Sequence, residues 1–179
     1  MTKTMSYLPY TGILVIGAAL LLIQAGRIDA FALLLGELIL AFAYVAAVID
    51  FKIKRIPNGV VLTMLVAWAI AMAPYLFLDT SVATALLMDS ALGFAIGGGM
   101  FLLVYLFSRK GLGGGDVKFM AVAGLYLGLN GVLPAILCGT VLAAIVGLAL
   151  ILMKKIGRKD PIPLAPFLYA GILITVFLR

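Results

Sequence analysis

Val132–Met153 reads VLPAILCGTVLAAIVGLALILM, an apolar run with no charged residue. A helix that crosses a bilayer needs about 20 mostly apolar residues, and this stretch supplies them. Working outward, the same reading applies to Leu8–Ala25, Ala30–Ile49, Gly59–Leu78, Ser90–Phe107 and Ile162–Leu178, with a shorter run at Val117–Leu129. The short run falls below a full span. It is expected to be a tilted or partly submerged helix held by its neighbours, since irregular backbone at membrane depth is tolerated only inside protein. Composition agrees: 65% of residues are hydrophobic and 11% charged, far more apolar surface than a soluble chain of this size can hide. The expected fold is an all-α, polytopic membrane helix bundle. One N-terminal helix occupies residues 1–28 and a six-helix core occupies residues 29–179.

The loops give an orientation. With the N-terminus in the cytoplasm, Lys3, Lys52, Lys54, Arg55, Arg109, Lys110, Lys118, Lys154, Lys155, Arg158 and Lys159 all fall inside, and only Arg27 and Arg179 fall outside. This division follows the excess of basic residues in cytoplasmic loops. The net charge of +6 therefore points to anionic lipid headgroups rather than to nucleic acid. Asp29, Asp79 and Asp89 fall outside, where they need no special role. The first segment also has the charged start and apolar centre of a signal peptide. Its cleavage site at Ala25-Gly26 is weak, and a retained helix is the preferred reading.

Absences narrow the chemistry. There is no His and only one Cys, which removes imidazole relays, imidazole metal ligands, zinc knuckles and internal disulfides. Cys138 sits in an apolar run and reads as packing. No cofactor or metal is expected. Of the 7 acidic residues, Asp50 and Asp116 stand out, because both lie at the cytoplasmic boundary although far apart in sequence. Carboxylates within hydrogen-bonding reach cannot easily both ionise. One then draws a proton from water while the other donates to a carbonyl, as in aspartic proteases. Gly113, Gly114 and Gly115 precede Asp116, where they allow positive φ and close approach of an extended substrate. A plainer reading stands equally on composition: Asp50 is a helix-end acid, Asp116 an N-cap and the glycines a tight loop.

Resemblance separates the two. Gly113-Gly114-Gly115-Asp116-Val117-Lys118 resembles the G-x-G-D-V-K signature of type IV prepilin peptidases and preflagellin peptidases. Asp50 with Arg55-Ile56-Pro57-Asn58 resembles the family's first aspartate and its R-I-P-N stretch, and Pro163-Leu164-Ala165-Pro166-Phe167-Leu168 is similar to its P-F-G-P-F-L. The resemblance spans about residues 30–179 and implies a membrane aspartyl endopeptidase with Asp50 and Asp116 as the catalytic pair. It implies prepilin, pseudopilin or archaellin precursors as substrates, cut at the cytoplasmic face of the inner membrane behind a short basic leader and ahead of an apolar helix. Gly113, Gly114, Gly115, Lys118, Pro163 and Pro166 are the expected substrate-binding residues.

Leu164-Ala165 replaces Phe-Gly, a departure in the loop but not in either acid. Bifunctional members carry a cysteine-motif domain after the first helix, linked to N-methylation. Here only Gly26–Asp29 joins the first two segments, so peptidase activity without methyl transfer is expected. Around the motifs, Pro57 fits a helix entry and Asn58 a cap, while Lys118 either holds a carboxylate or reaches for headgroups. Glu37, in mid-span, is expected to be protonated and hydrogen-bonded between helices, with a place in the lining of the substrate cleft as the alternative. Tyr7, Tyr10, Trp68 and Phe77 read as packing and interface anchors. Two rivals are weaker. Presenilin-like proteases precede the first Asp with Tyr, whereas Ile49 stands here; a cation-coupled transporter expects an internal repeat that the sequence lacks.

Overall fold

A computed structural model describes residues 17–20, 29–108, 112–155, 157, 160 and 162–178. Most of Leu8–Ala25 and of the Gly26–Asp29 connection lies outside the described residues. So do Tyr7, Tyr10, Pro161 and the basic residues Lys3, Arg27, Arg109, Lys110, Arg158, Lys159 and Arg179.

Five long helices follow one another: α1 (Ala30–Ile53), α2 (Asn58–Leu78), α3 (Thr80–Phe107), α4 (Gly114–Leu152) and α5 (Ala165–Leu178). There is no strand among the described residues. The reason is the solvent: in hydrocarbon every backbone N–H and C=O must be satisfied within the segment, and a helix does this alone. α1 to α4 are each long and apolar enough to cross a membrane. Their outward faces carry large bare side chains, such as Ile70, Leu106 and Leu137, as suits a hydrocarbon surrounding. The chain is a multi-pass membrane protein.

At 39 residues, α4 would run roughly 58 Å if straight, about twice the hydrocarbon thickness. It is not straight. Gly128 has φ 63° and ψ −175°, a conformation that glycine adopts without steric cost. A Cβ added to Gly97 of α3 would lie 2.5 Å from the Met120 carbonyl oxygen and 3.0 Å from the Val132 methyl. A continuous helix would hold residues 120 and 132 roughly 18 Å apart. The chain therefore folds back at Gly128 into a short arm, residues 114–127, and a long arm, residues 129–152. This matches the short segment expected from sequence, with the break at Gly128 rather than after Leu129.

Asp89 holds that reversal. Its Oδ1 accepts a hydrogen bond from the Leu129 N–H at 3.0 Å, satisfying a donor at the start of the long arm. Asp89 thus has a structural role, contrary to expectation, and the reason lies in the start of α3. Instead of beginning at Ser90, α3 begins at Thr80 under an Asp79 cap whose carboxylate accepts from the Ser81 and Val82 N–H groups. The polar residues of its first turns hide it from a hydropathy reading, but the cap gives it a definite start.

Small residues bring the helices together. Gly93 and Gly124 meet backbone to backbone between α3 and the short arm of α4, and Gly171 of α5 lies against Ala135 and Gly139 of the long arm. α5 in turn packs on α1, where Gly36 faces Val176. Residues 17–20 are helical and pack here too, with Leu20 fully buried against Gly36. α2 is the outlier. It buries only Met64 and Met72 and is pinned mainly by the Tyr126 hydroxyl, which donates to the Met64 carbonyl at 2.6 Å.

Candidate active site

Three connections gather at one end of the bundle: α1–α2, α3–α4 and α4–α5. The first is short. α1 runs past Ile49 to Ile53, so Asp50 lies in its last turn rather than after it. Lys54, in the left-handed region at φ 53°, ends the helix and returns its N–H to the Asp50 carbonyl at 2.7 Å. The Asp50 side chain points inward and is 4% exposed. Its Oδ2 accepts a hydrogen bond from the Ala165 N–H at 3.0 Å, a buried contact across 115 residues. Ala165 is the first residue of α5, so this N–H has no partner within its own helix. The positive end of α5 thus meets the carboxylate of α1.

α5 begins at Ala165 rather than Ile162, because a helix begun at Ile162 would carry Pro166 into its second turn, against the carbonyl four residues back, whereas a start at Ala165 leaves Pro166 in the first turn, where proline is tolerated. Residues 162–164 are correspondingly non-helical. Pro166 lines a cleft of about 250 Å³ with Tyr44, Phe51, Lys52 and Tyr169. Pro163 lies in the non-helical stretch beside it.

The short arm of α4 brings the second acid. Gly113 is its N-cap, and Asp116 sits in the first helical turn with its N–H on the Gly113 carbonyl at 3.1 Å. Asp116 is therefore not an N-cap. Its Oδ1 is buried without a hydrogen-bond partner, an expensive arrangement for a structural acid. Its Oδ2 leans over Gly113, 2.9 Å from where a Cβ would stand. Asp50 is near enough for its charge to act on Asp116. The fold has brought two carboxylates together from helices 66 residues apart in sequence.

The glycines serve differently from expectation. Gly113 has φ −77°, Gly114 and Gly115 are already helical, and among the described glycines only Gly128 takes a positive φ. Gly115 is needed for approach: a Cβ there would lie 3.0 Å from the Ile56 carbonyl oxygen and 3.3 Å from the Ile56 Cβ. Ile56 is buried, so this contact fastens the α1–α2 loop to the start of α4. Gly114 faces open space.

A second fastening was not legible in the sequence. Lys118 Nζ donates to Asn58 Oδ1 at 3.1 Å. Asn58 does not cap α2, whose N-cap is Pro57 with no side-chain cap bond. The ammonium instead ties α4 to α2 beside the two acids.

Glu37 departs from expectation as well. Its Oε1 is buried with no hydrogen-bond partner, and its Oε2 stands 2.6 Å from where a Gly17 Cβ would be. It faces the N-terminal helix rather than the carboxylate pair. Among the described residues no group of three or more His, Cys, Asp or Glu side chains is arranged to hold a metal ion.

The class is that of an all-α, multi-pass membrane helix bundle with two acids, Asp50 and Asp116, at one end. The chain belongs to the type IV leader peptidase family, whose model matches residues 37–148. Among curated relatives, a prepilin leader peptidase/N-methyltransferase of Bacillus subtilis is 31% identical over 134 residues, covering 73% of this chain and 50% of that protein. Its namesake in Xanthomonas campestris is 29% identical over 67% of this chain and 41% of its own length. One from Burkholderia pseudomallei is 35% identical over 46% of this chain and 29% of its own. The chain thus spans half or less of the length of these relatives. No solved structure matches it significantly.

Proposed function

We propose that the chain is a membrane aspartyl endopeptidase that removes the short leader of prepilin-like precursors at the cytoplasmic face of the inner membrane. One observation carries this reading. Asp116 keeps a buried, unpartnered Oδ1 within electrostatic reach of Asp50, whose own Oδ2 is fixed by the Ala165 N–H. Peptide hydrolysis by such a pair needs one member ionised and the other protonated. The ionised member takes a proton from a water held between them, and the water oxygen adds to the scissile carbonyl carbon. The protonated member gives its proton to the carbonyl oxygen. Collapse of the tetrahedral diol breaks the C–N bond, the departing amine collects the proton first taken from water, and one diol hydroxyl returns a proton to the member that had given its own, which restores the pair. Asp50 and Asp116 carry the chemistry. Gly114, whose outer side is free, offers backbone to an extended leader, and Pro163 and Pro166 border the same end of the bundle.

The orientation rests on the basic loops Lys52–Arg55 and Lys154–Lys155, which lie at the carboxylate end, as the positive-inside tendency requires. Proteolysis without methyl transfer is supported by the four-residue connection Gly26–Asp29 and the single cysteine. The relatives' name includes N-methyltransferase, so the two activities need separate measurement. Purified protein given a prepilin-type precursor and S-adenosylmethionine should release the leader and leave the new N-terminus unmethylated. Intact precursor after long incubation overturns the peptidase reading. A methylated product overturns only the second part.

A further inference from the structure

The two acids of the candidate dyad differ in their surroundings. Asp50 meets the first residue of α5: the Ala165 N–H donates to its Oδ2 at 3.0 Å, and both residues are buried. That N–H is free to do so because the first N–H groups of a helix have no partner within it. Asp116 has no such donor. Its Oδ1 is buried and unpartnered, whereas neither oxygen of Asp50 is in that state.

An anion buried without a donor is far costlier than a neutral acid in the same place. A carboxylate that accepts a buried N–H is favoured in its charged form. The helix dipoles act in the opposite sense, since Asp50 stands in the last turn of α1 and Asp116 in the first turn of α4. Their effect is diffuse and fades within a turn, whereas the Ala165 bond is a direct contact in a water-poor interior, where such bonds are strongest. Lys52 and Lys54, beside Asp50 in sequence, are exposed, and Lys118 is engaged with Asn58. Neither acid is therefore paired with a buried cation among the described residues, and the Ala165 contact decides between them.

Resting on the peptidase reading, we propose that the dyad has fixed roles, Asp50 entering the reaction as the carboxylate and Asp116 as the acid, with Ala165 the positioning residue that sets this order through its N–H. Asp50 draws a proton from water, whose oxygen bonds to the scissile carbonyl carbon, and Asp116 gives its proton to the carbonyl oxygen. When the C–N bond breaks, Asp50 passes its proton to the departing amine. A diol hydroxyl reprotonates Asp116, so both acids regain their starting forms. The α4–α5 connection thus serves catalysis through its backbone, without any of its side chains touching the reacting bond.

Infrared spectra of protein labelled with carboxyl-13C aspartate test the order without substrate, and the label leaves Glu37 silent. The double variant Asp50→Asn/Asp116→Asn supplies the background from the other aspartates. Near neutral pH, wild type and Asp50→Asn should each show the band of one protonated aspartate above that background, and Asp116→Asn should show none. A band absent from wild type, lost in Asp50→Asn or kept in Asp116→Asn overturns the proposal. Ala165→Pro then removes the N–H at a first helical position, where proline is tolerated, while Ala165→Gly keeps it. With a prepilin-type precursor, the acid limb of kcat/KM should move to higher pH by about one to two units in Ala165→Pro and stay in place in Ala165→Gly. Lactic acid in place of alanine at 165, which deletes the N–H and keeps the side chain, should give the same shift and serves where the proline variant does not fold. An unmoved limb in a folded protein lacking that N–H overturns the role of Ala165. The spectra need no cleavage, so failure of the peptidase reading is seen separately, as intact precursor with the unsubstituted protein.

Discussion

Two glycines on adjoining helices, Gly124 of α4 and Gly99 of α3, should respond oppositely to the same added methyl. At Gly124 a Cβ runs into the Gly93 carbonyl and lies 2.9 Å from the Phe94 nitrogen. These are backbone atoms, which cannot swing aside, so α3 and the short arm of α4 must separate. Overpacking of this kind costs about 1–3 kcal/mol, and an all-backbone collision belongs at the upper end. At Gly99 the same methyl meets nothing, and replacing Gly by Ala inside a helix gains up to about 1 kcal/mol. The two variants should thus differ by roughly 3 kcal/mol, or about 6–12 °C in Tm at 2–4 °C per kcal/mol for a chain of this length. Thermal unfolding in one detergent at one protein concentration reads the difference. Gly124 is also two turns along the short arm from Asp116. Prying the arm from α3 shifts that carboxylate, and a displacement near 1 Å can cost about a hundredfold in rate. Gly124→Ala should therefore lose activity more steeply than stability. Equal Tm and equal activity for Gly124→Ala and Gly99→Ala would refute the close α3–α4 contact and the reasoning built on it.

Asp89→Ala strands the Leu129 N–H at the fold-back and should cost about 1–2 kcal/mol, the range for a lost N-cap, while Asp89→Asn should recover most of it. Asp79 accepts from the Ser81 hydroxyl and from two N–H groups, which hold its pKa below the ordinary Asp value. Its contribution should be complete above about pH 4, the unfolded value, and fade as pH falls through the lower folded value; Asp79→Ala should abolish that acid-side dependence in an unfolding titration. In a Cys138→Ala background, Lys54→Cys should react with an impermeant thiol reagent from the cytoplasmic side only and Thr80→Cys from the opposite side only. Inverted labelling would overturn the proposed orientation.

Much of this architecture is written in the sequence. Among the described residues, each long apolar run became a helix, because hydrocarbon leaves the backbone no other economical choice. The short run before Gly128 became the short arm of α4. Asp50 and Asp116 were legible as a pair because acids at a membrane boundary are few and because three motifs surround them. What escaped was chemistry carried by backbone or by distant partners. Ala165 looked like a departure from a motif, yet its contribution is an N–H that any residue except proline supplies, so side-chain identity could not reveal it. Asn58 and Lys118 stand 60 residues apart, and nothing local links them; Asn58 had an equally good local reading as a cap. Asp89 seemed idle because its partner is the N–H of Leu129, forty residues on. The glycines before Asp116 invited a reading in terms of positive φ, whereas Gly115 is required by proximity to Ile56, a fact of packing that only three dimensions disclose.

The central claim is that Asp50 and Asp116 act as one unit on one water, and a two-residue cycle addresses it directly. Asp50→Asn, Asp116→Asn and the double variant should each be assayed on a prepilin-type precursor, with expression and Tm confirmed for all three. Asparagine keeps the size of the side chain but cannot take a proton from water. Members of a unit are strongly non-additive, so each single variant should lose nearly all turnover and the double should be scarcely worse than either. The wild type should show a bell-shaped pH profile that belongs to the pair and should be indifferent to EDTA. Substantial turnover by either folded single variant, or losses that multiply in the double, would contradict a shared dyad.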